Sequence, residues 1–252
     1  MRRVETVMGI PMSVDIREAD EATAARAAEA AFAVLREADA RFSRYRADSE
    51  VSAILDGRRT EADASPDLRE VLDIAARARL ATGGAFDVRG PDGELDTDGV
   101  VKGWAAARAA EAIRRHGVRV FCLNAGGDVV VGAAPAGSEG WNVGVRSPES
   151  PERMLAVLTV RDAAVATSGA YERGEHIRDA RTGAPARELV SATVFAADLT
   201  TADVLATAVF ALGEAGVPWA TGHGARGVLA AAADGRILAA GTLPLAASQR
   251  PA

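Results

Sequence analysis

Lysine is almost missing from this sequence: of its 29 Lys and Arg residues, only Lys102 is a lysine. Asparagine is confined to Asn124 and Asn142, glutamine to Gln249 and tyrosine to Tyr45 and Tyr171, whereas alanine occurs 57 times in 252 residues. The skew has the form of a GC-rich coding bias, so a disfavoured residue type that persists is a pointer to chemistry. Cys122 is the one cysteine, which excludes an internal disulfide and permits a reducing compartment. Unbroken apolar runs approaching the ~20 residues of a membrane helix are missing. The opening MRRVETVMGIPMSVDI lacks the apolar stretch of a signal peptide. The expectation is a cytoplasmic chain with no membrane span. Basic clusters and aromatic platforms are missing too, and the net charge is -6, which argues against nucleic acid as a partner.

What is present is a globular composition, 48% hydrophobic and 25% charged, long enough to bury a sizeable core. Residues 4–16 alternate as a strand interrupted at Gly9, Ile10 and Pro11. Helical periodicity marks 20–40, started by Asp20, and 66–82, opened by Ser65 and Pro66. It also marks 103–116, and 199–213 with Thr200 or Thr201 as cap. Residues 83–101, rich in Gly and Asp, read as a loop too polar for a core element. Strand-like runs occupy 118–123, 128–132, 141–146, 154–160, 163–167 and 190–197, and a last unit has a helix at 215–221 and strands at 226–231 and 236–241. Helices and strands do not alternate strictly. That predicts an α+β fold, a mixed or antiparallel sheet packed with helices, not a doubly wound one. Without repeats or linkers, residues 1–252 read as one domain or two closely joined lobes.

Five segments carry candidate chemistry. In the first, Phe42, Ser43 and Tyr45 stand among Arg41, Arg44 and Arg46, followed by Ser49 and Ser52. Rings, hydroxyls and guanidinium groups together suit a flat ring and a phosphate. The plainer reading is a helix end followed by a Ser49 cap. The second runs through Gly83, Gly84, Ala85, Phe86 and Asp87 to Asp96, Gly99, Lys102 and Gly103. It reads as a glycine-rich loop entering a helix N-terminus, where backbone N–H groups favour anions, with Lys102 at the entrance. The third, Asn124 to Asp128 with Gly126 and Gly127, is either a hairpin turn or a ligand-approach loop.

The fourth gathers Ser168, Gly169, Tyr171, Glu172, His176, Ile177 and Asp179. His176 is a candidate general base because histidine titrates near neutrality, although a lone histidine is more often structural. In the fifth, Asp203 and Thr207 stand four apart and share one helical face. A carboxylate and a hydroxyl on an apolar face suit Mg²⁺, which takes one or two protein oxygens plus substrate phosphates. The plainer reading makes Asp203 a first-turn residue there for the helix dipole. His116 reads as a helix cap, and His223 lies in a Gly-rich turn without partners nearby in sequence.

Taken in order over roughly residues 8–213, these segments resemble the ApbE family, the FAD:protein FMN transferases. The resemblance implies FAD as substrate and Mg²⁺ on its pyrophosphate. It also implies an acceptor flavoprotein whose Thr (or Ser) hydroxyl receives FMN as a phosphoester, with release of AMP. Asp203, Thr207 and the carbonyl near Gly99 would hold the metal, and His176 would serve the attacking hydroxyl. Met8, Ser43, Tyr45, Ala85, Phe86, Asp87, Asp96, Lys102, Gly126, Gly127, Ser168, Gly169 and Ile177 would line the FAD site. The sequence departs from the family pattern in a short loop between Asp87 and Asp96 and in Ala170, Glu175 and Ala180. Two alternatives share the pocket: a Mg²⁺-dependent FAD pyrophosphatase giving FMN and AMP, and a non-catalytic flavin-binding protein.

Overall fold

The alternation of residues 4–16 resolves into two strands, β1 (Arg2–Val7) and β2 (Ile10–Ile16), because the chain reverses at Met8 and Gly9. Both turn residues have positive φ, 53° and 71°, as the commonest two-residue hairpin turn requires. The expected break at Gly9, Ile10 and Pro11 is therefore corrected: Ile10 and Pro11 already belong to β2. The computed structural model describes residues 1–90, 93–150, 152–169 and 177–247.

An eight-stranded sheet is the frame. It adds β3 (Phe121–Ala125), β4 (Asp128–Val131), β7 (Ala163–Gly169), β10 (Leu189–Ala196), β11 (Ala225–Ala232) and β12 (Ile237–Gly241), in the order β1-β2-β3-β4-β7-β10-β11-β12. Every pairing in it is antiparallel, so the expected α+β class holds in its antiparallel form. Two short hairpins stand apart: β5 (Trp141–Arg146) with β6 (Met154–Val160), and β8 (Arg178–Asp179) with β9 (Ala184–Pro185).

Because strand side chains alternate, the sheet feeds two cores. Val130, Ala164, Ala166, Val194 and Val228 face the helices. Val129, Val131, Val165, Phe195 and Leu229 face the other way, against Val143, Val145 and Leu158 of the β5–β6 hairpin. The helical layer contains α1 (Glu21–Phe42), α2 (Glu50–Leu55), α3 (Pro66–Ala81), α4 (Asp98–Arg115), α5 (Leu199–Leu212) and α6 (Gly216–Thr221). Alanine is the strongest helix former and the smallest apolar side chain, so Ala-rich α1 and α4 pack closely with little entropic cost. Side-chain caps fix three starts: Asp20 accepts the Thr23 N–H, Ser49 that of Ser52 and Ser65 that of Leu68.

Four further expectations need correction. Helix α4 begins at Asp98, not at 103. Gly99 and Gly103 weaken the helical signal there, but Val100, Val101 and Trp104 are buried and hold the extra turn. The supposedly polar stretch also buries Ala85, Phe86, Val88 and Leu95. Helix α5 is capped by Asp198, whose carboxylate accepts both the N–H and the hydroxyl of Thr201. Finally, Leu199–Thr221 is long and apolar enough to match a membrane helix. Searching for unbroken apolar runs overlooks it, because Asp203 and Glu214 interrupt it. Most of this stretch is buried, with α5 packed on β7, β10 and α4 and α6 on β11.

Candidate active site

The antiparallel registers bring the candidate segments to one end of the sheet. Pairing of Met12 with Ala125 and of Ala125 with Asp128 places the Met8–Gly9 turn beside the Gly126–Gly127 turn. Gly126 donates its N–H to the Pro11 carbonyl at 3.2 Å. A Cβ at Gly126 would lie 2.5 Å from Ile10 Cδ1, the movable end of that side chain, so it is the positive φ there that favours glycine. Gly126 and Gly127 have φ of 64° and 107°, and Asn124 Oδ1 accepts the Gly127 N–H at 2.9 Å. The third segment is thus a hairpin turn, and it lies at the site.

Asp128, the first residue after that turn, is 2% exposed. One carboxylate oxygen accepts the Thr167 N–H at 2.9 Å, and the other lies 2.6 Å from Lys102 Nζ. From the opposite side, α5 presents Asp203, with Oδ1 at 3.4 Å from the same Nζ. Asp203 Oδ2 accepts the Gly103 N–H at 2.8 Å. Helices α4 and α5 approach closely enough that a Cβ on Gly103 would sit 2.6 Å from Asp203 Cβ and 2.7 Å from the Leu199 carbonyl oxygen. Asp203 is therefore not a first-turn dipole residue of α5; it bonds across to α4. Lys102 is not at a helix entrance either. It lies in the second turn of α4, and its ammonium is committed to two carboxylates.

Burial works against the charge on Lys102, but Asp203 and Asp128 outweigh it and raise its pKa. Burial raises the pKa of Asp203, Asp128 adds to that, and Lys102 and the Gly103 N–H oppose it. One turn further along α5, the Thr207 hydroxyl lies 3.1 Å from Ser168 Oγ at the end of β7. The Cβ direction of Gly99 points between the Phe86 ring, 3.5 Å away, and Thr207 Cγ2, 3.8 Å away. The structure thus gathers Gly99, Lys102, Phe86, Ser168, Asp203 and Thr207.

The remaining expected residues form the surroundings. Arg44 joins the first two segments, with Nη1 2.6 Å from Asp96 Oδ2 and Nη2 2.5 Å from Glu94 Oε1. Asp96 also accepts the Asp98 N–H at 3.1 Å, which helps to start α4. Ser43 Oγ accepts the Tyr45 N–H, and the Tyr45 side chain is 91% exposed. Asp87 pairs with Arg79 at 2.8 Å. Ala85 accepts the Ala180 N–H at 3.0 Å. Met8 and Ile177 pack on the main core, and Gly169 pairs with Ser191. Ala170, Tyr171, Glu175 and the proposed base His176 lie outside the described residues.

Asp128 and Arg44 escaped the sequence reading as site residues. A charged residue heading the apolar run Val129–Val131 was the available signal for Asp128. His223, by contrast, does have a near partner, since it stacks on Trp219 and bonds its carbonyl at 2.8 Å. An open groove of about 420 Å³ shares no residue with the cluster. Its Arg41, Arg58 and Arg59 are each paired with carboxylates or carbonyls.

The donor chemistry fits a hard divalent cation. Asp203 and Thr207 offer oxygens, Gly99 lies beside Thr207, and no group of three or more His, Cys, Asp or Glu forms a metal cage among the described residues. Such a sparse set suits an ion that takes its remaining ligands from water and substrate phosphate.

A sequence profile of the ApbE family matches residues 8–90 and 88–229. The chain belongs to the ApbE family. It is similar to the FAD:protein FMN transferase of Treponema pallidum, 36% identical over 138 residues that cover 48% of this chain and 38% of that protein. It is also similar to the FAD:protein FMN transferase of Rhodobacter capsulatus, 35% identical over 167 residues, covering 63% of this chain and 32% of that one. The chain matches less than half the length of these curated relatives. Its fold is shared with a crystal structure of an ApbE protein from Thermotoga maritima, with a TM-score of 0.81 and 24% identity over 94% of this chain and 96% of that one.

Proposed function

We propose that this chain is a Mg²⁺-dependent FAD:protein FMN transferase. The observation that carries the reading is the convergence of Asp203, Thr207, Gly99 and Lys102 at one sheet end, in a chain of the ApbE family. Asp203, Thr207 and the Gly99 carbonyl would hold the metal, which supplies charge neutralisation to a bound pyrophosphate. Met8, Ser43, Tyr45, Ala85, Phe86, Asp87, Asp96, Gly126, Gly127, Ser168, Gly169 and Ile177 would surround FAD. Lys102 would serve it as a fixed charge beside Asp203.

In the proposed reaction a Thr or Ser hydroxyl oxygen of the acceptor flavoprotein bonds to the FMN phosphorus. The bond from that phosphorus to the bridging oxygen breaks, and AMP departs with the electron pair. His176 takes the hydroxyl proton, a role carried over from the family resemblance. Phosphoryl transfer needs positioning and charge placement above all, and a sheet end that places Phe86, Lys102 and α5 side by side offers both.

Incubation with FAD, Mg²⁺ and a Thr-containing acceptor should yield covalent FMN and an equal amount of AMP, and chelation should abolish both. Release of FMN and AMP without acceptor would instead identify a pyrophosphatase. Unhydrolysed FAD retained without metal would identify a flavin carrier. Wild-type transfer by His176→Ala would remove that residue from the mechanism.

A further inference from the structure

Asp128 has no place in the chemistry above, yet at 2% exposed it is buried as deeply as Asp203 at 3%. One of its oxygens accepts the Thr167 N–H, and the other is in ion-pair contact with Lys102. Charges inside a dry site carry far more weight than the same charges in water, so a carboxylate placed there shapes whatever binds next to it.

We infer that Asp128 is a positioning residue that holds the Lys102 ammonium off Asp203 and so keeps that carboxylate open to a divalent cation. The inference rests on the metal reading of Asp203, Thr207 and Gly99. The ammonium sits 2.6 Å from Asp128 but 3.4 Å from Asp203. Its close partner is the residue outside the metal set, and its loose contact is with the residue inside it. Ammonium and metal ion compete for the same oxygen, and Asp128 draws the competitor away.

The charge sum gives the consequence. With both carboxylates ionised, Lys102, Asp128 and Asp203 together carry one net negative charge. Neutralising Asp128 leaves the cluster at zero, with Lys102 free to close on Asp203. Neutralising Lys102 as well restores a single negative charge on Asp203 and removes the competitor. Neutralising Lys102 alone leaves two negative charges facing the ion.

The test is a Mn²⁺ titration of the full chain without nucleotide, read by loss of the free-ion electron paramagnetic resonance signal. Asp128→Asn keeps an acceptor for the Thr167 N–H and should weaken Mn²⁺ binding by about tenfold or more. Asp128→Asn with Lys102→Met should return to within about threefold of wild type, a rescue that a purely structural role for Asp128 would not give. Lys102→Met alone should bind Mn²⁺ more tightly than wild type.

Asp128→Asn within about twofold of wild type, or a double variant as weak as Asp128→Asn, overturns the inference. Should Asp128→Asn fail to fold by thermal melting, Lys102→Met decides, and unchanged or weaker binding overturns the inference. Asp203→Ala tests the metal reading separately. If it leaves Mn²⁺ binding intact, that reading fails and the inference fails with it. If it abolishes binding while Asp128→Asn changes nothing, the inference alone fails.

Discussion

Arg3, Glu5, Glu29 and Arg36 form a ring of ion pairs across β1 and α1, with contacts of 2.5 to 2.7 Å. Lys102, Asp128 and Asp203 form a second network between α4, β4 and α5. The ring has two cations and two anions and is electrically complete. It lies in water, where screening and side-chain entropy leave little net stabilisation. With both carboxylates ionised the inner network is one positive charge short, and those carboxylates are buried. Removing charges from water is costly unless they are fully paired, so an incomplete set in such a place has a use other than stability. The difference separates charge that decorates a fold from charge that, under the proposed function, faces a metal ion.

Four substitutions probe that difference. Asp203→Ala should have the largest effect, because it leaves Lys102 and Asp128 as a neutral pair and removes the one carboxylate from the proposed metal ligands. FMN transfer should fall on the order of 10³-fold while the protein stays folded, measured by covalent flavin per acceptor. Transfer near the wild-type rate would place the inner network with the decorative one. Gly103→Ala forces a methyl group into the α4–α5 crossing and should cost roughly 1–3 kcal/mol in denaturant unfolding. No loss would mean that the crossing yields easily and does not define the position of Asp203.

Lys102→Arg preserves the charge but puts a planar fork in place of a compact ammonium. The apparent KM for FAD should rise about tenfold, since the planar guanidinium cannot keep the close contact with Asp128 and the longer one with Asp203 without moving Asp203. An unchanged KM would return Lys102 to the ordinary surface cations. Arg36→Ala, which opens the outer ring, should lower the thermal midpoint by no more than about 2 °C and leave transfer unaltered. A larger drop would show that the ring supports the β1–α1 contact after all.

Much of this was legible before any coordinates. The caps at Asp20, Ser49 and Ser65 announce three helices because a cap and the N–H that donates to it lie within three residues of each other. Asp203 and Thr207 could be paired because helical geometry links positions four apart. Lys102 drew notice through rarity. The true start of α4 was hidden, because its first turn contains Gly99 and is held by burial against distant residues. Asp128 read as the end of a turn, since nothing local reveals that its side chain turns inward to a lysine 26 positions earlier. Arg44 was lost among arginines, and its partners Glu94 and Asp96 lie 50 and 52 positions away. Local rules reach as far as a helical turn or a hairpin, and the site is made from contacts beyond that reach.

That reach has a consequence for how the molecule comes into being. Gly103 and Asp203, which bond to each other, are 100 positions apart. A nascent chain that stops short of α5 can pair Lys102 with Asp128 but has no Asp203 to complete the arrangement. Closing so long a loop comes late in folding, after nearby strands and helices have settled. If Asp203 holds the metal as proposed, uptake of the ion has to wait until α5 has docked on α4, and its appearance during refolding would serve as a clock for that step.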